Sequence, residues 1–454
     1  MNGIWAGIFA AFMVLGRDQI ALLAVYLLVA RVIVHWASAE RPAACVLSTI
    51  GPLLAGAVVG GALIAFPILM TVVLAADLNR PAIDFAGAGA GSLHPALLTT
   101  FVIPQVFAAA SGVMGAFWGP PSFTWVGTGL YTAQNVGQSY IGAIPAILIV
   151  GGVASGRLWD KEIRFFSIAF VVIVIYALGW YTPAFKIAHS VLPGVDLYRR
   201  PADAVFLFGG LGAIVAGYAL HTWFTEPWRR PTWWTWTALA LILVVAFGAA
   251  LAFGLRYDRL QQLPAALMLA AASFAAGLAA LFWAVPRAAV APWTAALLIG
   301  MVTAGDLAYN NGPNSSSALP PQTFEVLEAM SPHHPLRELR SLVVQNATRR
   351  DRVELVGLGF HWPNASITHR LENTLGYNPV RLGLYSRATG AEDHVGLPEQ
   401  RKFSPSSRPT GAYWQTCWGC AGSQRPCRSR RSTRRSSRSH GKHGPEGLRR
   451  RPSR

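Results

Sequence analysis

Apolar residues in this chain come in long unbroken runs, with the polar residues gathered between them. Runs at 20–36, 46–66, 205–221, 235–255, 265–285 and 293–309 are each close to the length a helix needs to cross a hydrocarbon core of about 30 Å. Those at 141–154 and 165–180 are shorter but equally apolar, and 1–15 reads as the end of a helix whose beginning lies upstream. Pro67 follows the third run where further apolar turns carry it to about 76, which predicts a proline kink. The pattern therefore predicts a polytopic α-helical membrane protein with about nine crossings in residues 1–309, its first partner being the lipid bilayer.

Three stretches break the pattern. Residues 77–139 form a long connection rich in Gly, Pro and aromatics, and its one apolar patch, PALLTTFVIPQVFAAA, is interrupted at Pro104. A clean span does not survive that interruption, so this segment is expected to be re-entrant or interfacial. From residue 310 the linker NNGPNSSSALPPQ leads to short alternating segments such as 352–358, which predict part of an extramembrane α+β domain over 310–403. Beyond it, 404–454 loses all apolar periodicity and is expected to be a disordered basic tail.

Composition sharpens two of these points. Hydrophobic residues make up 53% of the chain and the formal charge is +17, which invites a nucleic-acid reading until the charge is placed. Residues 411–454 carry eleven Arg and one Lys against one Glu, so the tail supplies +11 and leaves +6 for the rest. A body of that charge gives no reason to propose nucleic acid as a partner. In the tail, Cys417 and Cys420 have only Cys427, His440 and His443 as further ligand candidates, at no recognised zinc spacing, so no metal and no cofactor is expected. A basic arm, a metal or redox site and translation out of frame compete to explain it; the GC-rich residue usage favours the last.

Charged loops orient the helices. Placing Arg41, Arg157, Lys161, Arg164, Arg229, Arg230 and Arg287 in the cytoplasm satisfies the positive-inside rule better than the reverse. Residues 77–139, the Arg199–Arg200 pair and residues 310–403 then lie on the external face of a bacterial inner (plasma) membrane.

The candidate chemistry sits at that face. Arg199 and Arg200 stand at the mouth of the run beginning near 205, followed by Pro201 at a helix start and by Asp203 where a carboxylate favours the helix dipole. Two guanidiniums at a membrane–water boundary suit a phosphate, and Pro201 is expected to hold Arg200 extended. Interfacial anchoring by snorkelling is the competing account. The tract WGPPSFTWVGTGLYTAQN sets Trp118, Trp125 and Tyr131 beside hydroxyls and the amide of Asn135, a composition suited to a sugar platform or, equally, to an aromatic belt.

The blocks GRDQIALLAVYLL, NRPAIDFAGAGAGSLHPALLTTFVIPQVF, LPGVDLYRRPADAVFLFGGLGAIVAGYALH and SITHRLENTLGYNPVRLGLYSRATG resemble consecutive parts of the bacterial YfhO-like membrane protein family. The resemblance implies a GT-C type glycosyltransferase, which takes a sugar from a polyprenyl-phosphate carrier at the outer face for cell-envelope glycosylation. It also implies a chain truncated before the family's catalytic first external loop and frameshifted near 403; Asp18 matches a later block and takes no catalytic role. An envelope-lipid transporter or flippase, which needs ionisable groups inside the spans, is the alternative, and a non-functional gene fragment is a third.

Overall fold

The computed structural model describes residues 2–16, 18–75, 84–108, 117–120, 139–226, 233–287, 290–312, 325, 327–328, 334–345, 353, 365–373 and 383–384. Its helices are α1 (Asn2–Val14), α2 (Asp18–Ala37), α3 (Pro42–Ala75), α4 (Phe85–Gly89), α5 (Ala143–Ala154), α6 (Arg164–Ala177) and α7 (Pro183–Val191). They continue with α8 (Val205–Thr225), α9 (Trp233–Arg256), α10 (Leu263–Arg287), α11 (Pro292–Asn311), α12 (His334–Gln345) and α13 (Ala365–Thr368).

Each of the nine predicted apolar runs coincides with a helix, because a backbone surrounded by apolar side chains satisfies its N–H and C=O groups most simply within its own segment. Among the described residues, four stretches are long and apolar enough to cross a membrane: Gln19–Ala37, Pro42–Leu74, Pro201–Thr225 and Leu260–Arg287. Shorter apolar helices are Asn2–Val14, Ala143–Ala154, Arg164–Ala177 and Val244–Arg256. Proline opens α3, α7 and α11, where its missing N–H is no loss. Helix α3 continues through Pro52 and Pro67 for 34 residues, about 51 Å at 1.5 Å per residue, well beyond one hydrocarbon thickness.

Helix α1 lies along α3, with backbone against backbone at Gly3, Gly7, Gly56 and Gly60. Helix α8 packs between α5 and α6, while α10 packs against both α5 and α11. Around these contacts form two apolar cores. One joins α5, α8, α10 and α11 through Ile144, Leu148, Val215, Leu281 and Ile299. The other is built around the broken apolar patch of the long connection.

That patch forms a 3-10 helix, Pro95–Phe101, followed by tight turns, and it is buried within the protein: Leu97, Ile103, Pro104, Val106 and Phe107 are all enclosed. Phe101 stacks on Phe208 of α8 at 4.2 Å, and Phe107 meets Phe253 of α9 edge-on at 5.7 Å. Irregular backbone can exist beside membrane helices only when protein surrounds it, and this segment meets that condition. Gln105 and Ala108 adopt left-handed backbone, with φ of 53° and 58°, to turn the chain inside this space.

After residue 312 the described residues include the helices α12 and α13 and one parallel bridge, Val353 to Asn373; no strand occurs among them. The alternating residues 354–358 and the tail 404–454 lie outside the described residues.

Candidate functional site

The approach to α8 is tied to two other chain segments by backbone hydrogen bonds. Asp84 caps α4 by accepting from the Gly87 N–H at 2.9 Å, and the last turn of α4 and the loop that follows each deliver one carbonyl to the arginine segment. Arg200 N–H donates to the Ala88 carbonyl at 3.1 Å, and Ala202 N–H donates to the Gly91 carbonyl at 3.2 Å. Ser92 joins the third segment: its hydroxyl donates to the Gly89 carbonyl at 2.6 Å and accepts from the Trp180 N–H at 3.0 Å, while Leu93 N–H reaches the Ala177 carbonyl at 2.9 Å. Gly91 is required here, since a Cβ at this position would lie 2.6 Å from the Cβ of Arg200.

Arg200 is not extended as its position before Pro201 predicts. Its φ and ψ are 69° and 68°, the left-handed region. The preference of a pre-proline residue is about backbone sterics alone, and here three hydrogen bonds override it. Besides the bond from its N–H, its carbonyl accepts from the Asp203 N–H at 2.9 Å and from Gln19 Nε2 of α2 at 3.3 Å. The Arg200 guanidinium pairs with Asp203 at 3.1 Å, so Asp203 holds a side chain as well as favouring the helix start. Arg199 differs: it is exposed, and its guanidinium makes no ion pair or hydrogen bond among the described residues. The two arginines thus divide into one fixed and one free cation.

Below this knot, His94 caps the Pro95–Phe101 turn. Its Nδ1 accepts from the Ala96 N–H at 3.1 Å, and its ring meets Tyr181 and Phe253 edge-on at 5.2 and 5.5 Å. Burial pushes the imidazole below its ordinary pKa, consistent with an Nδ1 that must stay unprotonated to accept.

The other sequence candidates fare unevenly. Trp118 is 5% exposed, edge-on to Phe107 at 5.1 Å, and its backbone N–H donates to the Phe107 carbonyl, so it serves as a core residue. Trp125, Tyr131 and Asn135 lie outside the described residues. Arg157, expected to act as a cytoplasmic topology charge, is buried and paired with Glu226 at the far end of α8, beside a small pocket lined by Gly152, Ser155, Thr222 and Trp223.

One polar cluster escapes hydropathy altogether. Asp306 of α11 accepts from the Tyr140 hydroxyl at 3.0 Å, from the Ala143 N–H at 2.7 Å and from Asn310 Nδ2 at 2.8 Å. It thereby caps α5 from another helix, where Gly142, at φ 94°, has no side chain to do so. Asn311 Nδ2 donates to the Tyr140 carbonyl at 3.0 Å, and Gln105 Nε2 reaches the Asn310 carbonyl at 3.5 Å. The only sequence signal was an acidic residue within an apolar run.

No family model, no curated protein and no solved structure matches this chain.

Proposed function

We propose that the chain is part of a bacterial envelope glycosyltransferase of the YfhO-like, GT-C type, in which Arg199 and Arg200 hold the phosphate of a polyprenyl-phosphate-linked sugar. In this reading the helices cross the plasma membrane about nine times, with the arginine pair and residues 310–403 outside. The supporting observation is the pairing of a backbone-clamped Arg200 with an exposed, uncommitted Arg199 at the start of an apolar helix long enough to cross a membrane. A lipid-linked phosphate presents its anionic oxygens at that depth, and guanidinium forks bind them in a way that ammonium groups do not. Sugar transfer would then proceed by attack of an acceptor hydroxyl at the anomeric carbon, with the leaving phosphate stabilised by these cations. No catalytic base is assigned among the described residues.

The test is binding of a short-chain polyprenyl-phosphate sugar to the purified full chain. Changing both Arg199 and Arg200 to Lys keeps the charge and the anchor but removes the forks, and should weaken binding by about 1.5–3 kcal/mol, roughly 10- to 150-fold. Unchanged binding would leave the arginines as interfacial anchors.

A specific observation also favours the transporter reading. Its weakness in the sequence was a scarcity of ionisable groups within the spans; Asp306, near the end of α11, is one such group held in a polar cluster with Tyr140 and Asn310 between α5 and α11. Asp306-dependent flux of an envelope lipid in vesicles would support it over transfer chemistry.

A further inference from the structure

We propose that Asp306, Asn310 and Gln105 form a binding site for one monovalent alkali cation at the junction of α5, α11 and the buried 95–108 segment. This stands apart from the carrier-phosphate reading and does not depend on it.

Charge comes first. Every donor to the Asp306 carboxylate is neutral: a phenol, a backbone N–H and a side-chain amide. Asp306 makes no ion pair among the described residues. This part-buried carboxylate therefore has only neutral dipoles around it and no counter-ion to offset the water it has lost.

The second observation concerns neighbouring oxygens. Asn310 Oδ1 and Gln105 Oε1 are both buried with no hydrogen-bond partner, their residues 5% and 7% exposed. Both amides are oriented by their nitrogens. Flipping Asn310 would set its oxygen against the Asp306 carboxylate, and flipping Gln105 would set its oxygen against the Asn310 carbonyl. The unsatisfied atoms are therefore oxygens, which accept and do not donate.

A carboxylate plus unpaired amide oxygens is the donor set of a hard cation, and one carboxylate balances a single positive charge, leaving a divalent ion uncompensated. The location fits as well. Breaks in regular backbone beside a helix bundle are where membrane proteins expose oxygens to alkali ions, and Gln105 sits on such a break, at φ 53°.

The test measures thermal unfolding of the full chain in detergent or nanodiscs, at constant ionic strength, in sodium chloride, potassium chloride and N-methylglucamine chloride. One of the alkali salts should raise Tm saturably, by about 1–4 °C at ten times its Kd. Asp306→Asn should abolish the dependence. Because that change also alters the cap of α5, Gln105→Met provides a second reading: it leaves the carboxylate and its donors in place and should raise the half-effective cation concentration by about tenfold. Identical Tm values in all three salts would overturn the proposal and leave a bridging water as the partner of these oxygens. An alkali dependence unmoved by both variants would place the ion elsewhere and overturn it equally.

Discussion

Replacing Gly7 with Ala adds one methyl group where α1 and α3 touch through their backbones. An ideal Cβ at Gly7 would lie 2.7 Å from the Gly56 carbonyl carbon and 2.8 Å from its Cα, whereas ordinary contact begins near 3.4 Å. The obstruction is backbone, so no rotamer relieves it, and the helices must part by about 0.7 Å or more. Gly3 meets Pro52 and Gly60 meets the Gly7 carbonyl in the same row, so separation at one level strips contacts from all of them. Between apolar helices in lipid there is little hydrophobic drive, and close packing is what holds them together. A gap of 0.5–1 Å forfeits a quarter to a half of each contact, which places the cost at about 1–3 kcal/mol, the range for overpacking. Gly61→Ala is the matched control: it lies in α3, its Cβ would meet nothing within 4 Å, and any gain in helix propensity is shared by both variants. Unfolding of the two variants in mixed micelles, followed by circular dichroism, gives the difference directly. Equal stability of the Gly7 and Gly61 variants would refute the close-packed α1–α3 contact.

Three further outcomes follow from the geometry. Arg200→Gly should leave stability unchanged or raise it by up to about 1 kcal/mol, because glycine adopts the left-handed backbone freely, while carrier-phosphate binding falls; loss of the fold would mean that the Arg200 side chain, and not its backbone, holds the knot. Glu226→Gln should destabilise by about 1–3 kcal/mol by replacing the carboxylate that faces the buried Arg157 with a neutral amide, whereas replacing Arg157 and Glu226 together with Met and Leu should cost less, as a double-mutant cycle would show. His94 has a depressed pKa in the folded chain, so its contribution is complete above pH 6.5 and is lost as pH falls below that value. Stability measured from pH 7.5 to 5 should decline, and the decline should flatten in His94→Asn; equal slopes would rule out His94 as its source.

Helix position was legible in the sequence. Apolar runs of sufficient length and a proline at Pro201 are local signals, and the helices start and stop close to where those signals lie. An arginine pair at a helix mouth was equally visible. Contacts between distant residues were not: the capping of α5 by Asp306 joins positions 163 apart, the Gln105 to Asn310 bond joins positions 205 apart, and hydropathy carries no information about either. The backbone of Arg200 shows the same limit, since the residue before a proline prefers extended geometry until Ala88, Asp203 and Gln19 supply hydrogen bonds that favour another. Pro104 announced that its segment could not span, but only packing against Phe208 and Phe253 determined that it is buried in protein. A run of apolar residues specifies that a segment avoids water; whether lipid or protein covers it depends on which other segments arrive beside it, and that is settled in three dimensions.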